Sequence, residues 1–205
     1  TSDAHGLDTL GREANAFDLD EPSFDALADV LRHRDRKRFL YTIEFFPEEG
    51  KYHVDGHRAC DFRCLPEETK RRGGICPKCG KPLTRGVLGR VHALADRPEG
   101  HRPDQAVPFR STVPLEEVIA DVLGKTPAAK AVFSLYKDLL AQVGPEFDVL
   151  LDADLDAISA ASGERIAEAR RRVRAGRVTV APGYDGVFGT VKVFADRRTA
   201  QKKLL

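Results

Sequence analysis

All four cysteines of the sequence lie in one short stretch, as two close pairs. Cys60 and Cys64 have three residues between them, Cys76 and Cys79 have two, and a charged, glycine-containing loop joins the pairs. Thiolates at such spacings can converge on one ion, and Gly80 can adopt the positive φ of a tight turn beside it. The pattern predicts a structural zinc site with Cys60, Cys64, Cys76 and Cys79 as ligands.

Two alternatives to this four-cysteine site stay open. The thiols can instead form a redox pair or disulfides, although a chain of 205 residues can bury a core without cross-links. We find no signal peptide or membrane span, so we expect a cytoplasmic protein with reduced thiols and no membrane partner. The second alternative is a ligand exchange: His57 lies three residues before Cys60 and can replace one thiolate, as in Cys₃His sites.

A zinc ion with four protein ligands leaves no position for a catalytic water. We therefore expect the metal to hold a small loop-rich module together. Chemistry, if the protein has any, must come from other residues.

The charge of the chain is balanced overall but locally uneven. The sequence has 33 Lys and Arg residues against 32 Asp and Glu residues, which argues against coating nucleic acid by bulk charge. The basic residues nevertheless cluster. These clusters are either solvated helix faces or phosphate-binding surfaces, and their position around the zinc module favours phosphate. The clusters comprise 32–38, Lys70 with Arg71 and Arg72, and 170–172 with Arg174 and Arg177.

The patterning predicts an α+β fold in three parts. Residues 1–40 contain a loop-like start and a helix opened by Ser23. Residues 41–108 form the zinc module, entered by a strand over 41–46 that Pro47 ends. Residues 109–205 are mainly helical and finish in a hairpin around the turn at 182–186. The expected C-terminal helices cover 114–123, 127–143, 154–160 and 164–175, with Gly124 and Gly144 as caps.

Asp3 and His5 are two residues apart near the start of the sequence. In an extended segment both side chains point to one face and can share an ion. The spacing alone is a weak signal, and a solvent-exposed loop is the simpler interpretation.

Four runs of sequence together resemble the C-terminal half of the endonuclease Q family. They are SDAHGLDTLGREANAFDL, YTIEFFPEEGKYHVDGHRAC, CPKCGKPLTRGVLGRV and PGYDGVFGTVKVF, and they occur in the family's order. The resemblance implies the end of a PHP-type metal-dependent phosphoesterase domain, then a zinc-binding domain and a helical C-terminal domain. It also implies a DNA repair endonuclease that incises 5′ to deaminated bases, such as hypoxanthine and uracil, and at abasic sites.

The resemblance assigns a role to the first of these runs. In the PHP fold an Asp-x-His pair near the domain's end completes the catalytic metal cluster, which implies that Asp3 and His5 ligate a divalent Zn, Mg or Mn ion. Most of the other ligands of the family lie upstream and are absent from this sequence. We therefore expect the 205-residue chain alone to be inactive.

The C-terminal half of the enzyme would then bind the DNA and recognise the altered base, which must leave the base stack to be recognised. The candidate base- and DNA-binding residues are Glu44, Phe46, Tyr52, His53, Asp55, His57, Arg58, Lys70, Arg71, Arg72 and Tyr184. A carboxylate can accept from a base N–H, and a histidine can donate to the keto oxygen that deamination creates. Each of these residues can equally well orient the zinc loop, and Tyr184 can be a structural turn residue.

A second class of function remains open: a zinc-containing nucleic-acid binding module or scaffold without preference for lesions. The C-terminal Gln201, Leu204 and Leu205 also resemble the start of a sliding-clamp docking peptide, although the aromatic residues of such peptides are missing.

Overall fold

A computed structural model describes residues 4–6 and 12–194. Asp3 and the tail residues Gln201, Leu204 and Leu205 lie outside this part of the chain. Within it, none of the helices is both long and apolar enough to cross a membrane.

The described residues form seven α-helices and seven β-strands in a mixed α+β arrangement, as predicted. The helices span Phe24–His33 (α1), Pro66–Arg71 (α2), Val87–Leu94 (α3), Leu115–Leu123 (α4), Lys130–Gln142 (α5), Leu155–Ser162 (α6) and Glu164–Arg174 (α7). The strands span Ala14–Phe17 (β1), Phe39–Phe45 (β2), Asp55–His57 (β3), Phe62–Cys64 (β4), Phe109–Thr112 (β5), Thr179–Ala181 (β6) and Thr190–Lys192 (β7).

Strand β2 is the centre of a three-stranded sheet, with β1 antiparallel on one side and β5 parallel on the other. The alternation along β2 buries Ile43 and leaves Glu44 exposed. Pro47 ends the strand and begins a single 3₁₀ turn, as its lack of an N–H donor requires. The sheet therefore joins segments from all three predicted parts of the chain.

The predicted cap residues explain several helix boundaries. The Ser23 hydroxyl accepts a hydrogen bond from the Ala26 N–H at the start of α1. Gly124 ends α4 with φ of 63°, a left-handed conformation that glycine adopts without strain. Gly144 does not cap α5, because that helix already ends at Gln142 with Val143 as its cap.

Helices α4 to α7 enclose the main hydrophobic core. Its fully buried side chains include Leu115, Ile119, Val132, Leu139, Val149, Ile158 and Ile166. A second cluster lies between α4, α7 and β7 and includes Val113, Val118, Val173 and Val193. This part of the fold has an apolar core of its own and does not need a metal for its packing.

One residue of the third basic cluster, which comprises 170–172 with Arg174 and Arg177, is buried in the protein core. Arg170 is completely buried, and its Nε donates to the Val149 carbonyl at 3.1 Å. Burial lowers the pKa of Arg170 to about 9, with the nearby Arg174 cation adding to the effect. Arg171 and Arg172 both pair with Glu168. This cluster therefore offers less positive charge to phosphate than its sequence indicates.

Candidate metal centre and the adjoining cleft

One group of side chains in the described chain has the geometry of a metal centre. The potential ligand atoms of His57, Cys60, Cys76 and Cys79 all lie within 4.8 Å of one another. His57 ends β3, Cys60 follows in a single 3₁₀ turn, and Cys76 and Cys79 flank the turn that Gly80 closes with φ of 72°. Three thiols and one imidazole at these separations suit tetrahedral coordination.

The structure therefore favours the alternative ligand set, in which His57 stands in place of Cys64. Cys64 is paired with Asp55 across the β3–β4 ladder, whereas His57 is paired with Phe62. This displacement of two residues moves Cys64 about 7 Å along the strand from the level of His57. Its Sγ instead contacts the Thr69 hydroxyl at 3.2 Å, and the residue is buried.

Contacts within this cluster shift the pKa values of Cys60 and Cys76 in opposite directions. The pKa of Cys60 is raised to about 11, chiefly because its hydrogen bond with Cys79 favours the thiol form. Burial also opposes ionisation of Cys76, but hydrogen bonds from the Lys78 and Cys79 backbones and from His57 outweigh it and lower the pKa to about 6.

The module around these ligands has a very small apolar core. Only Cys64, Cys76 and Leu83 form its buried cluster among the described residues, with Cys60 and Phe62 packed beside them. Such a core is too small to hold the loops by hydrophobic burial alone. Coordination of one ion by His57 and the three cysteines would supply the missing constraint.

Asp55 is a structural residue of this module. It is 1% exposed, and its Oδ1 accepts a hydrogen bond from the Gly86 N–H at 2.7 Å, at the N-terminus of α3. A side chain at Gly89 would lie only 2.8 Å from the same oxygen. The carboxylate is thus enclosed by α3, which favours the structural alternative over contact with a base.

The turn at 182–186 is attached to the metal module. Tyr184 is 4% exposed, and its hydroxyl donates to Asp61 Oδ1 at 2.7 Å. Asp185 accepts from the Arg58 N–H at 2.6 Å and from the Thr84 hydroxyl at 2.7 Å, and the Arg58 bond is the main reason that the pKa of Asp185 is lowered. These contacts identify Tyr184 as a turn residue that fastens the C-terminal hairpin.

Close backbone approach makes two glycines necessary on this hairpin. A Cβ at Gly189 would lie 2.1 Å from the Glu48 carbonyl oxygen, and one at Gly183 would lie 2.4 Å from the Gly50 carbonyl oxygen. Gly183 and Gly189 donate backbone hydrogen bonds to Glu48 and Glu49, respectively. The hairpin and the segment 48–50 therefore behave as one unit.

A cleft of about 880 Å³ lies between the start of the chain, β2 and this hairpin. Three of the predicted site residues line it: His5, Glu44 and Phe46. Further charged or aromatic side chains that line the cleft were not predicted as site residues, among them Glu13, Glu49, Glu117 and Phe188. Glu13, Glu49 and Phe188 lie within the runs that resemble the endonuclease Q family, but no local spacing relates the four residues, because they meet only through the sheet and the hairpin.

The cleft is acidic. Burial raises the pKa of Glu49 to about 7, and the negative charges of Glu117 and Glu48 raise it further. Glu44 is exposed on β2, and its Oε1 accepts from the hydroxyl of Thr42, two residues away on the same face of the strand. Carboxylates and an imidazole in one cleft can bind a divalent cation or accept from N–H donors.

Aromatic and basic side chains lie at the rim of the cleft. Phe188 lines the cleft yet is 70% exposed, and Tyr52 is 45% exposed. The Lys51 ammonium lies 5.6 Å from the centre of the Phe188 ring and 5.9 Å from that of Tyr52. Arg58 is exposed nearby, with its Nη1 3.4 Å from where a Cβ at Gly186 would be.

The remaining predicted DNA-binding residues lie elsewhere. Lys70 and Arg71 are exposed at the end of α2, and neither has an ion pair with another described residue. Arg72 is paired with Glu68 and lies over the Phe62 ring. His53 is half-buried, and its backbone bonds Gly50 and Leu88.

Solved structures of lesion-processing enzymes share this fold. The lesion-specific endonuclease PfuEndoQ from Pyrococcus furiosus is 28% identical, with a TM-score of 0.82 over 98% of this chain and 51% of that chain. Endonuclease Q in complex with a 27-mer duplex that carries an abasic lesion at the active site is also 28% identical. Its TM-score is 0.77 over 93% of this chain and 49% of that chain.

The sequence is also similar to one family model and to parts of two longer proteins. Residues 114–177 match the family described as the MJ0043 C-terminal domain. The protein MJ0043 of Methanocaldococcus jannaschii is 32% identical over 93% of this chain and 24% of its own length. The protein YqxK of Bacillus subtilis is 28% identical over 93% of this chain and 45% of its own length. The chain thus spans less than half of either relative, and about half of the solved enzymes.

Proposed function

Because this chain belongs to the endonuclease Q family, we propose that it is the DNA-binding and base-reading part of a repair endonuclease. The complete enzyme would incise DNA 5′ to deaminated bases such as hypoxanthine and uracil, and at abasic sites. The observation that carries this proposal is the similarity of nearly the whole chain to a lesion-specific endonuclease at a TM-score of 0.82.

We propose that zinc occupies the His57, Cys60, Cys76 and Cys79 centre. Three thiols and an imidazole favour zinc over the hard cations that prefer oxygen ligands. With four protein ligands the ion has a structural role. Its position between β3, Cys60 and the 76–79 turn would order the segment that carries Tyr52 and Arg58.

The cleft is proposed to be where the catalytic and reading functions meet. His5 lines it, and Asp3, two residues earlier, would add a second ligand to a catalytic divalent metal. The rest of that metal cluster would come from outside the 205 residues. Without those ligands the chain by itself would bind DNA and not cut it.

Base reading is proposed for other residues of the same cleft. Glu44 is exposed there with Thr42 as its hydrogen-bonding neighbour, so it can accept from a base N–H. Phe46 lines the same cleft and offers an apolar ring for stacking. Tyr52, Arg58, Lys70 and Arg71 are exposed on the metal module and would contact the flanking backbone.

Direct binding measurements with this chain separate the proposal from a zinc module without lesion preference. Fluorescence anisotropy is measured with matched duplexes that contain an abasic site, hypoxanthine or only normal bases, at increasing salt. The proposal predicts tighter binding to the lesion duplexes and affinity that falls steeply with salt, because phosphate contacts release counterions. Equal affinity for all duplexes would favour the module without lesion specificity.

A further inference from the structure

Phe188 has an exposed ring on a backbone that is held in place on both sides. Its ring is 70% exposed at the rim of the cleft, whereas the backbone on both sides of it is held by hydrogen bonds. Tyr184 and Val187 exchange two backbone bonds, at 3.0 and 2.8 Å, just before it. Gly189, just after it, donates to the Glu49 carbonyl at 3.0 Å.

The hairpin cannot easily move to bury this ring. Gly186 donates to the Lys51 carbonyl at 2.9 Å, and Gly189 sits against Glu48 so closely that no other residue fits. Tyr184 is itself buried and bonded to Asp61. Within the described residues the ring is therefore presented to solvent by a fixed support, and burying it requires something outside these residues.

The surroundings of the ring indicate which kind of molecule would bury it. Lys51 lies 5.6 Å from the ring centre and can reach a phosphate while it remains near the aromatic face. Tyr52 and Arg58 are exposed beside the same turn. An exposed aromatic with adjacent cations matches the platforms on which nucleic acid bases stack, whereas a partner protein would be expected to find a larger apolar patch.

We propose that Phe188 is the stacking wedge of this chain: it enters the base stack beside the lesion and covers the base pair left exposed when a base is extruded. This inference rests on the proposed function and specifies how the site engages the duplex. Enzymes that extrude a base lose stacking energy, and an inserted apolar side chain recovers part of it. The cleft that Phe188 borders also contains His5, so the wedge would lie next to the catalytic position.

The composition of the chain permits a direct optical test, because the sequence has no tryptophan. A Phe188→Trp variant therefore carries a single indole reporter, whose emission falls when it stacks on a base. Phe133→Trp is the matched control: Phe133 is 51% exposed and has Lys137 4.5 Å from its ring, but it lies on α5 and not on the cleft. Anisotropy of a labelled abasic duplex reports binding independently.

We expect saturation with the abasic duplex to quench the Phe188→Trp emission strongly and to leave the Phe133→Trp emission nearly unchanged. Phe188→Ala is expected to lose about tenfold in affinity for the abasic duplex, which is within the range of one base–aromatic stack. Phe133→Ala should bind as the natural chain does. Because Phe188 is exposed, all four variants should keep their far-ultraviolet circular dichroism.

The outcomes separate this inference from the function it rests on. Binding of the abasic duplex with unchanged emission of Phe188→Trp, or with full affinity of Phe188→Ala, would overturn the wedge and leave the proposed function standing. Quenching with equal affinity for abasic and normal duplexes would support the wedge and contradict lesion reading. No binding of either duplex by the natural chain would overturn both.

Discussion

The Tyr184 hydroxyl donates a hydrogen bond of 2.7 Å to the carboxylate of Asp61, across 123 positions of sequence. Asp61 follows the candidate metal ligand Cys60, and Tyr184 lies between strands β6 and β7. The β6–β7 hairpin is thus attached to the metal module. This connection explains how Phe188, far away in sequence, reaches the cleft that His5 and Glu44 line.

Removal of this hydroxyl tests the connection. Tyr184→Phe keeps the buried ring and removes the bond, so we expect the free energy of unfolding to fall by about 1–2 kcal/mol. Denaturant unfolding followed by circular dichroism measures the change. Tyr52→Phe, on an exposed tyrosine of the same module, is the control and should be neutral. Equal stability of both variants would show that the hairpin does not depend on this contact.

The metal ligands can be distinguished by single substitutions. The natural chain is expected to contain one zinc per molecule. His57→Ala and Cys76→Ser should lose it, because each removes one of four ligands. Cys64→Ser should retain it, since Cys64 lies at the other end of the β3–β4 ladder. Metal analysis after dialysis gives the stoichiometry, and zinc loss by Cys64→Ser with retention by His57→Ala would restore the four-cysteine site.

Glu49 makes stability depend on pH in a defined direction. Its pKa in the folded chain is about 7, above the ordinary 4.5, so folding favours the protonated carboxyl. This contribution is fully present below about pH 4.5 and is lost as the pH rises through 7. Glu49→Gln, which cannot ionise, should therefore raise the melting temperature at pH 8 more than at pH 5.

The control for this pH effect is an exposed carboxylate away from the cleft. Glu164→Gln, at the exposed start of α7, should shift the melting temperature similarly at both pH values. A Glu49→Gln shift that is the same at pH 5 and pH 8 would contradict a buried, uncompensated carboxyl at the cleft.

His5 provides a test that separates chemistry from binding. In the complete protein, His5→Ala and Asp3→Ala are expected to abolish incision while lesion-duplex affinity stays within about twofold, because metal ligands are not base contacts. Incision gels and anisotropy on the same preparations give both values. A loss of binding equal to the loss of cutting would argue that these residues hold DNA and not metal.

Local sequence signals predicted much of the fold. Ser23, Pro47 and Gly124 act on the backbone next to them, and the helices that depend on apolar periodicity lie close to their expected bounds. The strands β1 and β5 were missed, because each has only four residues and exists through pairing with β2. Helices α2 and α3 were also missed, since they depend on the metal module and not on long apolar patterns.

The site was predicted less completely than the fold. The choice between Cys64 and His57 depends on the register of a three-residue ladder, which cysteine spacing does not specify. For Asp55 and Tyr184 the sequence left both a pocket role and a structural role open, and their buried hydrogen bonds to Gly86 and Asp61 favour the structural role. The cleft joins residues near positions 5, 44, 117 and 188, and no local pattern relates them.

Whether the complete protein is a lesion-specific endonuclease is decided by strand incision on end-labelled duplexes. Substrates with one hypoxanthine, uracil or abasic site are compared with the same sequence made of normal bases, with and without a divalent metal. We expect the complete protein to cut on the 5′ side of the lesion only when the divalent metal is present, and to cut the normal duplex little. Equal rates on lesion and normal duplexes would contradict this expectation.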